Sequence, residues 1–277
     1  MTSTAPFTVR KLSLNQQGRD FVVGDIHGCY DLVLDALREA GFNTRRDRLL
    51  SLGDTVDRGP DSPRALAFLR QPWVHAVRGN HEDMFLELYA EDGVPPHPHA
   101  VEFITGRNGM GWWRDLSEGM RDDMIAEFRK MPVSIEVETA RGTVGLVHAD
   151  VPDGLSWHEF TRAVENGDTN VVHRAVWGRD RISSKDTSGV QGIGRVFVGH
   201  TPVSGARRLG NVYHVDTGAV FGVLRGGPEH GHLTLAHVAC GTGIFDADTL
   251  SEATRAVNVL GANEDTPDRP FGAYAGM

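Results

Sequence analysis

With 277 residues, 40% of them hydrophobic, the chain is long enough to close one large domain around an ample core. Its 28 Lys and Arg stand against 37 Asp and Glu, and the formal charge of -9 with a pI near 5.8 argues against a general nucleic-acid coat protein. Two cysteines, Cys29 and Cys240, supply neither a disulfide framework nor a Cys-x-x-Cys site, there is no signal-peptide core, and no apolar run approaches the roughly 20 residues of a membrane span, so the expectation is a cytoplasmic protein without membrane attachment.

Taken in order, Phe21-Val22-Val23 reads as a short buried strand, and Leu32, Val33, Ala36, Leu37 and Ala40 recur at helical spacing with Gly41 as the cap. Leu49 to Leu52 is the next strand, followed by a helix from near Ser62 and Pro63 that uses Ala65, Leu66 and Leu69. Val74 to Val77 is a third strand, and a helix starting near His81 turns Phe85, Leu86 and Leu88 inward. Strand, loop and helix in series predict an α/β core with functional groups at strand ends. Prolines 95, 96 and 98 break the pattern into a mainly helical insertion over about 99–130, whose Trp112 and Trp113 read as insertion-core or groove aromatics rather than base-stacking groups. Ser134 to Glu138 and Val144 to Val147 predict antiparallel strands joined at Arg141-Gly142. A second sheet is then expected to resume at 196–198, 212–213, 220–224 and 233–238. The extension after about 241 offers at most a terminal helix near Glu252 to Leu260, and the whole of 1–277 is read as one domain.

The chemistry sits just past the strands. Asp25 and His27, then Asp54, then Asn80, follow successive apolar runs, and His148 and His200 follow two later ones. Carboxylate, amide oxygen and imidazole are hard or borderline ligands, so this set predicts a centre for two divalent metal ions: Asp25, His27 and Asp54 for one, Asp54, Asn80, His148 and His200 for the other. The mixture favours Mn, with Fe, Zn, Ni or Co also accommodated. His81 is given a separate role, as an acid oriented by Asp57, and Arg58 and Arg179 have the charge and fork geometry to clamp phosphate oxygens. Glycines 24, 28, 53, 59 and 79 read as enablers of close backbone passage, not as a nucleotide-binding loop. Cys29 has no base partner and reads as a packed thiol.

The ordered runs Val22-Val23-Gly24-Asp25-Ile26-His27-Gly28, Gly53-Asp54-Thr55-Val56-Asp57-Arg58-Gly59, Arg78-Gly79-Asn80-His81-Glu82, His148-Ala149-Asp150, Trp177-Gly178-Arg179, Gly199-His200-Thr201-Pro202 and Asp216-Thr217-Gly218 resemble the phosphoprotein-phosphatase branch of the calcineurin-like metallophosphoesterases, the lambda-phage type and its bacterial relatives in particular. The resemblance covers about residues 18–239 and departs from the lambda-type pattern at Gly178. It implies a four-layer α/β/β/α sandwich, the ligand and acid assignments above, and hydrolysis of phosphomonoesters by in-line attack of a metal-bound hydroxide. A phosphoprotein or phosphopeptide is the expected substrate, with small phosphomonoesters as surrogates. Two other readings share these residues: a dinucleoside-polyphosphate hydrolase and an inactive phosphate-dependent interaction module.

Overall fold

The structure is a computed structural model that describes residues 7–89 and 97–238, together with the backbone of 257–260. After an edge strand β1 (Val9–Leu12), the chain forms β2 (Asp20–Val23), α1 (Tyr30–Glu39), β3 (Arg48–Ser51), α2 (Ala65–Leu69), β4 (Val74–Ala76) and α3 (Asn80–Leu88). α1 stops at Ala40 because Gly41 turns into the left-handed region, φ 57°, as its spacing predicts. The insertion contributes α4 (Pro98–Thr105), a 3-10 turn over Met110–Asp115 and α5 (Glu118–Arg129). A hairpin of β5 (Ser134–Thr139) and β6 (Gly142–Val147) follows, turning on Gly142 at φ 103°. Then come α6 (Trp157–Glu165), α7 (Thr169–Trp177), α8 (Asp180–Ser184), β7 (Arg195–Val198), β8 (Arg207–Leu209), β9 (Val212–His214), α9 (Ala219–Arg225), β10 (Leu233–His237) and β11 (Val257–Leu260).

Two sheets result, in strand orders β1-β5-β6-β7-β9-β8 and β11-β10-β2-β3-β4. Because side chains alternate across a strand, each sheet feeds two cores. Phe21, Val23 and Leu49 face α1, α2 and the insertion, where Trp113 and Phe128 are also buried. Their neighbours Val22 and Leu50 meet Ile135, Leu146, Phe197 and Tyr213 of the other sheet. Val196, Val198 and Val212 complete the alternation by packing on Trp157 and Phe160 of α6 and Ala175 and Val176 of α7. Three cores in succession make the four expected layers, helix, sheet, sheet, helix.

Three expectations change. Residues 220–224 are helical, inside α9, because the left-handed Gly218 reverses the chain and its carbonyl accepts the Phe221 amide. β10 does not extend the second sheet but returns to the first, antiparallel to β2, with Leu235 opposite Val23. Residues 257–260 form a strand parallel to β10 where a helix was expected, and the rest of the 252–260 prediction, like Cys240 and residues 90–96, lies outside the described residues. β1 and α6 to α8 were not read from the sequence, although Ser156 and Glu159 form a capping box and Asp168 caps α7 in the usual manner.

Within the first sheet β2, β3 and β4 are mutually parallel, and β6, β7 and β9 are parallel in the second. Their carboxyl ends therefore share an edge, where loops of both sheets meet. The approach of α6 to this second sheet depends on Gly145, since a Cβ there would stand 2.3 Å from the Trp157 ring. Gly145→Ala is expected to displace that ring and lower unfolding free energy by about 1–3 kcal/mol in denaturant titration, while Gly119→Ala, where an added Cβ meets nothing within 4 Å, serves as the control.

Candidate metal centre

The loops after β2, β3, β6 and β7 carry Asp25 and His27, Asp54, His148, and His200, and the first turn of α3 after β4 carries Asn80 and His81, into one buried cluster. Non-glycine residues rarely adopt positive φ, yet His27 (46°), Asp54 (47°), Asp57 (72°), Arg58 (65°) and His200 (66°) all do so. Glycines make the close passages: a Cβ on Gly59 would lie 1.9 Å from the His27 carbonyl oxygen.

Asp54 is central. Its Oδ2 lies 3.6 Å from His27 Nε2 and 3.9 Å from His81 Nε2, while Oδ1 lies 3.5 Å from His148 Nε2. One carboxylate thus faces two groups of potential ligands, His27-Asp54-His81 and Asp54-His148-His200, in each of which the ligating atoms lie within 4.8 Å of one another. Asn80 Oδ1 joins the second group at 2.9 Å from His148 Nε2 and 2.8 Å from His200 Nδ1. Asp25 stands beside rather than inside these triads, with both carboxylate oxygens accepting the His200 amide at 3.1 Å.

The ring protons are placed to leave lone pairs toward the cluster. His27 Nδ1 donates to Val56 O at 2.8 Å and His148 Nδ1 donates to Leu52 O at 2.6 Å, so in the neutral rings each Nε2 is unprotonated. Burial pushes the His27 and His200 pKa values down to about 3, which keeps both imidazoles neutral and ligand-competent. Burial, then the charges of Asp216 and Asp54, push Asp25 well above the usual carboxylate range, and burial lifts Asp216 to about 6. Three buried carboxylates pressed together with neutral imidazoles form a donor set that divalent cations would neutralise. The residues fit a two-metal centre.

His81 differs from the other imidazoles. Its Nδ1 lies 2.6 Å from Asp57 Oδ2, and its Nε2 is buried without a hydrogen-bond partner. Burial works against its protonation, but Asp54 and Asp57 outweigh it and hold the His81 pKa above the ordinary value. Geometry admits this nitrogen either as a third ligand with His27 and Asp54 or as a proton donor. The arginines flank the cluster: Arg58 Nη1 reaches His27 Nε2 at 2.5 Å and Arg179 Nε reaches His200 Nε2 at 3.1 Å. Gly178, just before Arg179, passes close to α7: a Cβ there would stand 2.4 Å from Arg174 O. Cys29 is a packed thiol, with burial pushing its pKa up to about 12.

Two residues organise the centre in ways not read from the sequence. Glu82 is fully buried and accepts from Gly79 N at 2.8 Å, Asp54 N at 3.0 Å, Thr55 N at 2.7 Å and Thr55 Oγ1 at 2.8 Å. Its place three residues after Gly79, at the start of a helix, lets it take the N-cap amide as the acidic half of a capping box does, although Gly79 has no side chain to complete one. Trp112 is the other: its Nε1 donates to Asp57 Oδ1 at 2.7 Å, a contact across 55 residues with no local signature.

Known proteins resemble this chain over most of its length. The family profile of the calcineurin-like phosphoesterases matches residues 21–226. Serine/threonine-protein phosphatase 1 of Salmonella typhimurium is 36% identical over 221 residues, covering 79% of this chain and 91% of that protein. An asymmetrical bis(5'-nucleosyl)-tetraphosphatase of Bacillus velezensis is 26% identical over 76% of this chain and 89% of its own length. A serine/threonine phosphatase structure from Saccharomyces cerevisiae shares the fold at a TM-score of 0.50 and 17% identity, over 76% of this chain and 71% of that one.

Because four donors converge on one carboxylate, Glu82→Ala should lower stability by about 3 kcal/mol or more in urea unfolding, through buried amides left without acceptors. Glu82→Gln, which retains a carbonyl oxygen, should lose less.

Proposed function

The chain belongs to the calcineurin-like phosphoesterases, and from that premise we propose that it is a serine/threonine-type phosphoprotein phosphatase of the lambda type. Its dimetal-binding active site is of the kind that hydrolyses phosphomonoesters. The observation that carries the reading is Asp54, whose two oxygens face two buried ligand groups at once. In this reading Asp25, His27 and Asp54 hold one cation and Asp54, Asn80, His148 and His200 the other, with Mn the preferred ion for such a mixed donor set. When bound, the pair supplies Lewis-acid charge to phosphate oxygens and an acidified water for in-line attack.

The chain's own residues do the rest. Arg58 and Arg179, on opposite flanks of the cluster, bind phosphate oxygens and fix the ester for displacement. His81 holds its proton at Nε2, facing the centre, and delivers it to the departing serine or threonine oxygen. Asp57 accepts from Nδ1 and so favours the protonated ring. We assign the whole of 1–277 to one cytoplasmic catalytic domain with the insertion at about 99–130 and an extension from about 241. No helix among the described residues is long and apolar enough to cross a membrane.

The deciding experiment is a metal-reconstituted panel of phosphoserine and phosphothreonine peptides, small phosphomonoesters and dinucleoside tetraphosphates, with every product identified. Inorganic phosphate from the peptides supports the proposal. Cleavage of the tetraphosphates without peptide turnover would favour the chemistry named for the Bacillus velezensis relative, and phosphopeptide binding without any hydrolysis would favour an interaction module. His81→Ala should reduce kcat on phosphoserine peptide by roughly 10²–10⁴ with metal content intact; normal turnover would remove the acid assignment. Asp54→Asn should instead lose metal, from about two ions per chain in the parent protein, by elemental analysis.

A further inference from the structure

The insertion reaches the centre itself. Asp57 is completely buried, and each of its oxygens has its own side-chain donor: Oδ2 lies 2.6 Å from His81 Nδ1, and Oδ1 lies 2.7 Å from the indole Nε1 of Trp112. A carboxylate with one anchor can rotate about its Cβ–Cγ bond, whereas two anchors on opposite oxygens fix its plane. The indole is held in turn, edge-on to Phe85 and Trp113 with ring centroids 5.9 and 5.5 Å away. The same short turn grips the neighbouring backbone. Gly109 O accepts the Arg58 amide at 3.3 Å, and the left-handed Gly109 packs so closely that an added Cβ would stand 2.4 Å from Arg58 N. Asp57 and Arg58 are both in the left-handed region, so this grip bears on a stretch of chain that must be held in place.

From this geometry we infer that Trp112 is a positioning residue for the proton-donating step: by fixing the Asp57 carboxylate it aligns the His81 ring toward the leaving oxygen. The inference rests on the acid role proposed for His81. It also gives Trp112 a part in bond breaking in addition to the insertion-core or groove place that the sequence suggests for it. Trp113 has a different place, fully buried with its Nε1 on Tyr89 Oη at 2.9 Å, away from Asp57.

The test compares a phosphoserine peptide, whose alkoxide leaving group needs a proton, with an aryl phosphate whose phenol leaves with little acid assistance. In the metal-loaded protein, Trp112→Phe keeps an aromatic ring against Phe85 but removes the N–H. It should lower kcat on the peptide roughly tenfold, in the range of lost supporting hydrogen bonds at such centres, and leave the aryl phosphate within about twofold. Trp113→Phe should change both substrates alike. His81→Ala is measured alongside. If it shows no preference for the aryl phosphate, the acid reading and this inference fall together. If His81→Ala shows that preference and Trp112→Phe does not, the positioning role alone is overturned. A second readout needs neither turnover nor a tryptophan variant: in ¹⁵N spectra of the indole groups, Asp57→Asn should shift the Trp112 N–H signal and spare that of Trp113. An unmoved Trp112 signal in the folded variant would likewise overturn the inference.

Discussion

Everything at the centre hangs on one buried carboxylate that is not among the expected metal ligands. Glu82 takes the backbone amides of Gly79, Asp54 and Thr55 and the Thr55 hydroxyl, and so ties the loop after β3 to the loop after β4 and to the first turn of α3. Burial and the nearby Asp54 charge raise its pKa, and the donors around it oppose that rise. A carboxylate with these contacts cannot leave its place without orphaning several buried groups. Asp54 is consequently held by its own amide at φ 47°, with one oxygen toward His27 and the other toward His148.

The centre is built from conformations that an isolated chain would avoid. Left-handed non-glycine residues cost of order 1–3 kcal/mol each, and His27, Asp54, Asp57, Arg58 and His200 gather in one place. Crowded carboxylates add further electrostatic cost. What offsets these terms is the scaffold beneath: two sheets with apolar side chains on both faces, sealed by helices on the outside and by each other within. Parallel strands point their carboxyl ends at a common edge, so loops carrying the functional groups converge without any one segment containing the site. Stability is thus stored in the layers and used at their rim.

The segment from α4 to α5, expected from the sequence to be an insertion, is in contact with the centre. Its helices bury Trp113, Met124 and Phe128 against α3 and the neighbouring core, and this packing delivers a short turn to the Asp57-Arg58 segment. Residues far apart along the chain therefore meet at the centre: Trp112 donates to Asp57, and Gly109 O accepts the Arg58 amide.

Local chemistry made much of this legible in sequence. The buried runs before Asp25, Asp54, Asn80, His148 and His200, and the helical spacing of α1 and α3, depend on short-range periodicity and on residue types with few alternative uses, and the structure places those strands and helices as the sequence indicates. The strand-end positions of the ligand-like residues were also readable, because carboxylate and imidazole side chains stand out after apolar runs. Long-range decisions were not readable. Residues 220–224 are apolar enough for a strand, but Gly218 and packing made them a helix; β10 is a strand in either sheet by its own composition, and only pairing with β2 assigned it. Glu82 announces a helix start by its spacing, yet its bonds to Asp54 and Thr55 exist only once β3 and β4 lie side by side. The Trp112 bond to Asp57 joins residues 55 positions apart. Sequence by itself determined which groups could do the chemistry, because side-chain type and local period are properties of short segments; tertiary structure alone decided which of those groups hold one another in place, because contact at a few ångströms depends on how distant segments pack.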